Sequence, residues 1–403
     1  MNWQHYPLIR LVIPFTLGMV GANLFICHMD QMVLFLLCCA VLAFLLFLLP
    51  QQKDSHRDGK FGVVAMALAF LIGMTLYTEK HHCIQQGVPQ DTTFSQGILT
   101  FSQHQQERLH TIYRDHGIDE EAGSIVEAMT IGRKTDLSRQ TRTAYAHAGV
   151  SHLLALSGFH ISIIVLMIQV FFLKSVLPLR WQWVNNLFII TTLWGYALLT
   201  GLSPSLVRAT TMFTILLLCQ SFTRDLLSIN SCALAFFVML CIDPRYLLNI
   251  GFQLSFASVV GISLFCRRFI NLSPTRNSVL FFLWGTILIT LICTVFTAPL
   301  VAYHFGNIPL LSVFSNLLLT LFVYLIMCGS ILWWLFLWCN PVNALLTEVL
   351  NWTADTMNHI THTMASLPFA SIEWHPHALT VLLCYLLLLL FSYFITHPTP
   401  TTP

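Results

Sequence analysis

Apolar runs of about 20 residues recur along the whole chain, and a run of that length can cross a lipid bilayer as one helix. A backbone in lipid must satisfy its hydrogen bonds internally, so such runs predict helices. Only 9% of the 403 residues are charged, well below the roughly 25% of a soluble domain. We therefore predict an all-α fold, a polytopic transmembrane helical bundle with about 10–12 spans, and exclude an ordinary soluble enzyme. The predicted spans lie near 7–27, 32–50, 61–77, 152–173, 185–201, 205–222, 229–242, 249–266, 279–299, 310–339 and 377–396.

The basic residues predict how these spans are oriented, because short cytoplasmic loops are enriched in Lys and Arg. Among the short connections between spans, the loops at 51–60, 174–180, 224–228 and 267–276 carry every Lys and Arg except Arg245, and they fall on one side if every run crosses once. The N-terminus is therefore predicted to be cytoplasmic and segment 78–150 to be extracytoplasmic. A multi-pass protein of the bacterial inner membrane is the expected location.

Four regions follow from this division of the chain. They are an N-terminal three-span membrane region (1–77), an extracytoplasmic polar segment (78–150), a larger membrane domain (151–396) and a short polar tail (397–403). The run at 310–339 is too long for one simple helix, so it is either tilted or a hairpin broken at Gly329. Segment 340–376 is typical of an interfacial amphipathic helix. It lacks Lys and Arg, which favours a position on the extracytoplasmic side of the membrane. That position requires the run at 310–339 to be a hairpin.

A helical hairpin is predicted at the end of the polar segment. The first helix begins with an acidic turn at Asp119, whose negative charge suits the positive end of the helix dipole, and it ends at Gly132. Asp136 or Ser138 can cap a second helix that ends at Gly149. The segment is either a solvated spacer or a guide for a ligand, and the sequence favours neither.

Polar side chains at the start of the fourth span form the first candidate site, because polar groups in a membrane are costly. His152, Ser157 and His160 lie within a stretch of nine residues there, and Gly158 with Ser162 is a pair of small residues that permits close helix packing. Each histidine could simply bond a neighbouring helix. Two histidines with a serine favour the lining of a polar path.

The second candidate is Arg208, which lies about one turn inside the sixth span after a helix start at Pro204. It could extend its guanidinium to the interface. The alternative is that Arg208 faces a water-filled path and meets an anion, for which the planar guanidinium is well suited.

The third candidate patch contains Gln253 and Ser255, with Ala257 and Gly261 beyond them. We expect Gln253 and Ser255 to line a path or to bond a partner helix, and Ala257 and Gly261 to serve helix packing. The sequence contains no Walker, GxSxG or HExxH motif, and its cysteines show no metal-ligand spacing. We therefore expect no enzymatic activity, no cofactor and no metal. An intramembrane hydrolase using Ser157 and His160 is a weaker alternative, because no orienting acid is evident.

These patches, in this order, resemble the ComEC family of bacterial competence proteins, over roughly residues 120–396. The resemblance rests on several short motifs, and together they are specific. They are Ile131-Gly132-Arg133 with the stretch 152–160, Gly201 through Arg208-Ala209, Arg224-Asp225, Asp243-Pro244, the stretch 251–256, and more weakly Pro299, Ser315-Asn316 and Leu367-Pro368.

The resemblance implies a channel-type protein for uptake of single-stranded DNA during natural transformation. Segment 78–150 leaves too little room for the family's OB-like domain, and no HxHxDH-like ligand cluster of its metallo-β-lactamase-like domain exists. The membrane competence domain alone is therefore implied. The partners implied are single-stranded DNA, membrane lipid, a cytoplasmic motor or DNA-binding protein, a separate nuclease and a second copy of the chain. A divergent transporter or binding protein for another solute is the alternative.

Overall fold

The computed structural model describes residues 7–25, 66–78, 92–170, 182–222, 229–270, 277–367 and 371–396. The predicted span at 32–50, the basic loops and the tail lie largely outside these residues. The described residues are almost entirely helical, in agreement with the predicted all-α class. The helices are α1 (Pro7–Phe25), α2 (Met66–Thr78), α3 (Thr92–Asp115), α4 (Glu120–Thr130), α5 (Arg139–His147), α6 (Gly158–Ile168), α7 (Gln182–Leu199), α8 (Pro204–Phe222), α9 (Ile229–Ile242), α10 (Ile250–Ile270), α11 (Ser278–Phe305), α12 (Ser312–Leu335), α13 (Asn340–Ala365) and α14 (Ala378–Thr396).

The chain divides into two compact units, one made of residues up to 92 with 227–253 and one made of the remainder. In the first unit, α1 and α2 touch at two glycines. A Cβ on Gly18 would lie 2.0 Å from the carbonyl oxygen of Phe70, and one on Gly73 would lie 2.1 Å from that of Phe15. Only glycine allows two backbones to approach so closely, which is a common way for apolar helices to pack in lipid.

The second unit contains both helices of the predicted hairpin, α4 and α5. Of the two caps that the sequence offered, Ser138 is the one used, since its Oγ accepts a hydrogen bond of 3.0 Å from the backbone N–H of Thr141. Helix α3 was not predicted, because its sequence is polar overall and its apolar residues form no long run. It is anchored by the fully buried Tyr113 and by Gln106, whose Nε2 donates to the carbonyl of Ile131.

The long run at 310–339 forms a single helix, α12, so the predicted hairpin at Gly329 is wrong. Gly329 has a different role, because a Cβ there would lie 3.1 Å from Leu350 of α13. Gly329 thus allows α13 to pack closely against α12 and does not end α12. Helix α13 lies against α4 and α5 in the same unit, and the side of the membrane predicted for segment 340–376 stays a prediction.

Two short strands, Asn307–Pro309 (β1) and Ser371–Glu373 (β2), pair antiparallel with Ile308 opposite Ile372. They follow α11 and α13 respectively, so they tie the start of α12 to the end of α13. Patterns of alternating residues over three positions are too short to predict strands.

Two helices in the described part of the chain are long and apolar enough to cross a membrane, Leu280–Phe305 and Ser312–Leu335. Eight further apolar helical stretches have 10–17 residues each. The all-α class is thus shown, whereas the predicted number of about 10–12 spans is not.

We predict that Gly149→Ala destabilises the protein by more than about 2 kcal/mol, because two costs combine there. Gly149 has φ +75°, and a Cβ would lie 2.7 Å from the Cβ of Pro309. Thermal unfolding of the purified chain in detergent, followed by circular dichroism, measures the effect.

Two glycines serve as matched controls for that experiment. Gly117 has φ +82° with open space around it, so Gly117→Ala should cost only about 1 kcal/mol. Gly97 lies in α3 with nothing nearby, so Gly97→Ala should stabilise by a few tenths to about 1 kcal/mol. Equal melting temperatures for Gly149→Ala and Gly117→Ala would show that the contact with Pro309 costs nothing.

Candidate functional site

The first candidate patch is not one continuous helix. Residues Ser151–Leu153 form a short 3-10 helix, and α6 begins only at Gly158 with Ser157 as its N-cap. His152 is exposed in the 3-10 helix, whereas His160 is 0% exposed in the first turn of α6. The two histidines therefore do not share a helix face, although Ser157 and His160 do meet.

Ser157 and His160 form a local cap at the start of α6. The backbone N–H of Ser157 donates to His160 Nδ1 at 3.3 Å, and Ser157 Oγ lies 3.0 Å from the same nitrogen. Because Nδ1 accepts the backbone N–H, the ring proton of the neutral imidazole lies on Nε2. That buried Nε2 has no hydrogen-bond partner among the described residues, so no carboxylate orients the ring as a hydrolytic triad would require.

Helix α6 packs between α8 and α12. Gly158 faces α8, where a Cβ on the glycine would be 3.6 Å from the Cβ of Ala209, and Phe159 meets Tyr324 of α12 edge-on, with 5.2 Å between ring centroids. Ser162 donates to the carbonyl of Gly158 within α6. Gly158 thus allows a close approach of α8, while the hydroxyl of Ser162 is satisfied inside its own helix.

Arg208 is buried near the start of α8, with 6% of its surface exposed. Pro204 begins this helix as predicted. The structure therefore encloses Arg208 in protein and does not place it at an exposed interface. A buried guanidinium is costly, and that cost is commonly tolerated where the charge serves a ligand or an ion pair.

Two further buried hydroxyl residues lie on the helices α8 and α12 that pack against α6, and sequence reasoning did not select them. Thr210 on α8 and Ser315 on α12 are both 0% exposed, and their hydroxyl oxygens have no hydrogen-bond partner in the part of the chain that the structure describes. Helical hydroxyls usually bond the carbonyl four residues back, as Ser162 does. Single Ser and Thr residues in apolar runs are too common to be noticed without the structure, although Ser315 belongs to the weaker ComEC-like pattern.

The third candidate patch lies at the start of α10. Gln253 Nε2 donates to the carbonyl of Leu247 at 2.9 Å, which caps the preceding 3-10 turn, and Ser255 is half-buried. Ala257 is also half-buried. Gly261 lies against α11, because a Cβ there would be 2.7 Å from the ring of Phe296. Gln253 is the last residue of the first unit, and Ser255, Ala257 and Gly261 belong to the second.

A compact polar network joins α3 to the turn after α4. The side chain of Glu127 is 1% exposed, and its Oε1 lies 2.8 Å from His110 Nδ1. The guanidinium of Arg133 lies 3.8 Å from the Glu127 carboxylate and 3.4 Å from that of Asp136. His110, Glu127 and Asp136 offer ligand atoms within 4.8 Å of one another, as metal ligands do. The guanidinium of Arg133 already supplies the cation there, so this group is best described as an ion-pair network around the Ile131-Gly132-Arg133 turn.

Comparison with known proteins places these features in a family. The sequence model of the family described as "Competence protein" matches residues 129–398. A relative, "ComE operon protein 3" from Bacillus subtilis (strain 168), is 31% identical over 208 residues, which are 51% of this chain and 26% of the relative. The chain thus aligns with about a quarter of that protein's length. No solved structure matches the chain significantly.

The matched region extends from the end of α4 to the end of α14, and it includes every candidate residue from His152 to Gly261. Since it covers well over half of the sequence and agrees with the ComEC-like motifs, the chain belongs to the competence protein (ComEC) family and is a membrane protein of that family.

Proposed function

We propose that this protein provides the path by which single-stranded DNA crosses the bacterial inner membrane during natural transformation. One observation carries the proposal beyond family membership. Three buried polar groups, on His160, Thr210 and Ser315, lack hydrogen-bond partners among the described residues, and they lie on α6 and on two of the helices that α6 contacts, α8 and α12.

Such groups are unfavourable in a permanently dry interior. Leaving a buried donor or acceptor unsatisfied costs about 1–3 kcal/mol, and an apolar residue of the same shape would avoid that cost. Their position on three neighbouring helices is therefore accounted for if water or a polar ligand occupies this interior in another state of the protein. Arg208, two residues before Thr210 on α8, adds a guanidinium suited to phosphate.

The ligand implied by this chemistry is a polyanion with many hydrogen-bonding groups. A DNA strand presents phosphates to Arg208 and sugar and base edges to hydroxyls, and aromatic side chains such as Phe159 and Tyr324 are suitable surfaces for stacking. The protein would act as a passive conduit and not as an enzyme. A cytoplasmic motor or DNA-binding protein would drive the strand inward, and a separate nuclease would remove the other strand.

Deletion of the gene in a competent strain tests the proposal as a whole. We expect chromosomal transformation and uptake of labelled DNA into the cytoplasm to fall by at least about tenfold, whereas binding of DNA at the cell surface persists. Unchanged values of both transformation and uptake would refute it. Loss of uptake of a small anion with unchanged transformation would instead favour transport of another solute.

A substitution that removes only the hydroxyl separates function from stability. Thr210→Val keeps the side-chain shape, so the variant should be as stable as the native protein or more stable by about 1 kcal/mol. Transformation should nevertheless fall by about tenfold, the loss expected for one hydrogen bond to the passing strand. Transformation frequency and protein abundance in the membrane are measured together.

Thr191→Val is the matched control for this variant. Thr191 is exposed on α7, and its hydroxyl already bonds the carbonyl of Leu187. Thr191→Val should leave transformation unchanged. A Thr210→Val protein that is stable and fully active would mean that the buried hydroxyls take no part in passage.

The structure also offers a test of the expectation that the protein is not a hydrolase. Ser157 lies 3.0 Å from His160 Nδ1, but no acid orients the imidazole in the described residues. A fluorophosphonate probe should therefore label the native protein no more than a Ser157→Ala variant. Labelling that disappears only in Ser157→Ala would establish a nucleophilic serine.

A further inference from the structure

The charges of the polar segment are separated along the chain. Residues 78–150 contain nine Asp and Glu and seven Lys and Arg, so the segment as a whole is not basic. Four of those seven basic residues nevertheless lie within 133–142, where Asp136 is the only acid. The stretch 115–127 is the reverse, with five acids and no Lys or Arg. This separation gives the region of α5 a positive surface on a segment that is otherwise acidic.

The basic residues of α5 lie on its solvent-facing side. Arg139, Arg142 and His147 are exposed, and the helix contains no Asp or Glu. The opposite side of α5 is buried and consists of Thr141, Ala144 and Tyr145. Arg139 and Arg142 are spaced i, i+3, so their Cβ atoms are about 5–6 Å apart. We call these three exposed residues, together with Lys134 of the preceding turn, the basic face of α5.

Two cations of the basic face are held close together although their charges repel. The guanidinium of Arg142 donates a hydrogen bond to the backbone carbonyl of Lys134. Desolvation lowers the pKa of the Lys134 ammonium group, and the charge of Arg142 lowers that pKa further. Neither side chain forms an ion pair in the part of the chain that the structure describes, whereas Arg133 is paired with Glu127 and Asp136. A bound anion would relieve the repulsion between Lys134 and Arg142.

An open cleft extends the basic face of α5 towards α13. The cleft has a volume of about 550 Å³, with Arg139 and His147 of α5 on one wall and His362 and Ser366 of α13 on the other. The side chains that line it are all neutral or basic. Guanidinium and imidazole N–H groups donate strongly to phosphate oxygens, so the cleft suits an anion.

The spacing of these groups fits a chain of phosphates better than a single phosphate. Arg139 and His147 are eight residues apart, which is about 12 Å along the helix axis. One phosphate cannot contact both side chains closely, whereas a DNA strand presents a phosphate at every nucleotide. Single-stranded DNA is commonly bound by positively charged surfaces that follow its backbone.

Helix α5 also leads directly to the helices of the proposed path. It ends at His147, and a Cβ on Gly149 would lie 2.9 Å from the Cβ of Ser312 at the start of α12. Ser315, which carries one of the buried hydroxyls of the proposed path, follows Ser312 by one turn. A strand bound to the basic face of α5 would therefore be held next to one of the helices that are proposed to conduct it.

We propose that the basic face of α5 is a docking surface for single-stranded DNA, which it binds through the phosphates before the strand enters the membrane domain. Lys134 and Arg142 bind one phosphate together, and Arg139 and the cleft receive a following one. Because these contacts are made to phosphate, the surface accepts any base sequence. The identity of the ligand rests on the proposed function, whereas the binding itself is measured independently of it.

Fluorescence anisotropy of a labelled oligodeoxythymidine strand, titrated with the purified full-length protein in a neutral detergent, tests the docking surface. A Lys134→Gln/Arg139→Gln variant should bind the strand at least about tenfold more weakly than the native protein. The slope of log affinity against log salt concentration should become shallower by about 1.4, since each phosphate contact to a single strand contributes about 0.7. The melting temperature should be unchanged or higher, because the repulsion between Lys134 and Arg142 is removed.

Two further variants control for charge and for folding. Arg108→Gln/Arg114→Gln also removes two guanidinium groups, but from α3, and it should keep the native salt slope because neither residue belongs to the basic face of α5. Lys134→Arg/Arg139→Lys keeps both charges, so its affinity should stay within about threefold of the native value. Inorganic phosphate should compete only at a phosphate concentration at least about 100-fold above that of the strand, because a strand binds through several phosphates at once.

Several outcomes would overturn the docking surface. They are native affinity and salt slope in Lys134→Gln/Arg139→Gln, an equal loss in the α3 variant, and displacement of the strand at equal phosphate concentration by inorganic phosphate. Displacement by phosphatidylglycerol in mixed micelles at equal phosphate concentration would assign the surface to lipid headgroups and overturn it too. A gene deletion that leaves transformation unchanged would refute the path even if the oligonucleotide binds, so failure of the path and failure of this surface are distinguishable.

Discussion

The packing of α13 against α12 is the interaction on which the rest of the second unit depends. Trp333 of α12 is 0% exposed, donates its indole N–H to Thr347 of α13 at 2.8 Å and stacks on Tyr113 of α3 with 4.9 Å between ring centroids. Asn343 of α13 in turn donates to the carbonyl of Trp333. Large aromatic side chains bury much apolar surface, and their polar atoms find partners here, so this contact both stabilises the pair and sets its register.

Asparagine side chains along α13 then fix the helices of the polar segment. Asn351 accepts from the backbone N–H of Asp119 and donates to the carbonyl of Gly117, so it holds the turn between α3 and α4. Two turns further along α13, Asn358 donates to the carboxylate of Glu121. Because an amide side chain can donate and accept at once, Asn351 satisfies backbone groups on both sides of the turn without carrying charge. Residues 93–150 of the polar segment are therefore packed into the second unit.

Local signals in the sequence were sufficient where a single residue decides the structure. Pro204 fixes the start of α8, and Ser138 caps α5, because the φ angle of proline and the short hydroxyl side chain of serine act within one turn. The start of α6 could not be obtained in this way, since the apolar run begins at His152 but the helix begins at Gly158. Apolar character alone does not distinguish a 3-10 turn from the first turn of a span.

The errors have the same origin in long-range packing. Gly329 was taken as a possible break, yet the side chain of Leu350 fills the space beside it, and a glycine inside a long helix is tolerated where a neighbour approaches closely. Thr210 and Ser315 were not selected because their importance lies in missing partners, which only the folded structure reveals. The resemblance to the ComEC family, by contrast, depends on several short motifs in a fixed order, and these can be recognised from the sequence alone.

The burial of the polar groups constrains how such a protein could conduct a strand. His160, Arg208 and Thr210 are each at most 6% exposed, so the described state is closed around them. Passage would require α6 to separate from α8 or α12. The α6–α8 contact includes the small residues Gly158 and Ala209, while the α6–α12 contact includes the aromatic pair Phe159 and Tyr324. Small residues bury less surface than aromatic ones, so separation from α8 costs less and would expose the polar side chains of α8 first.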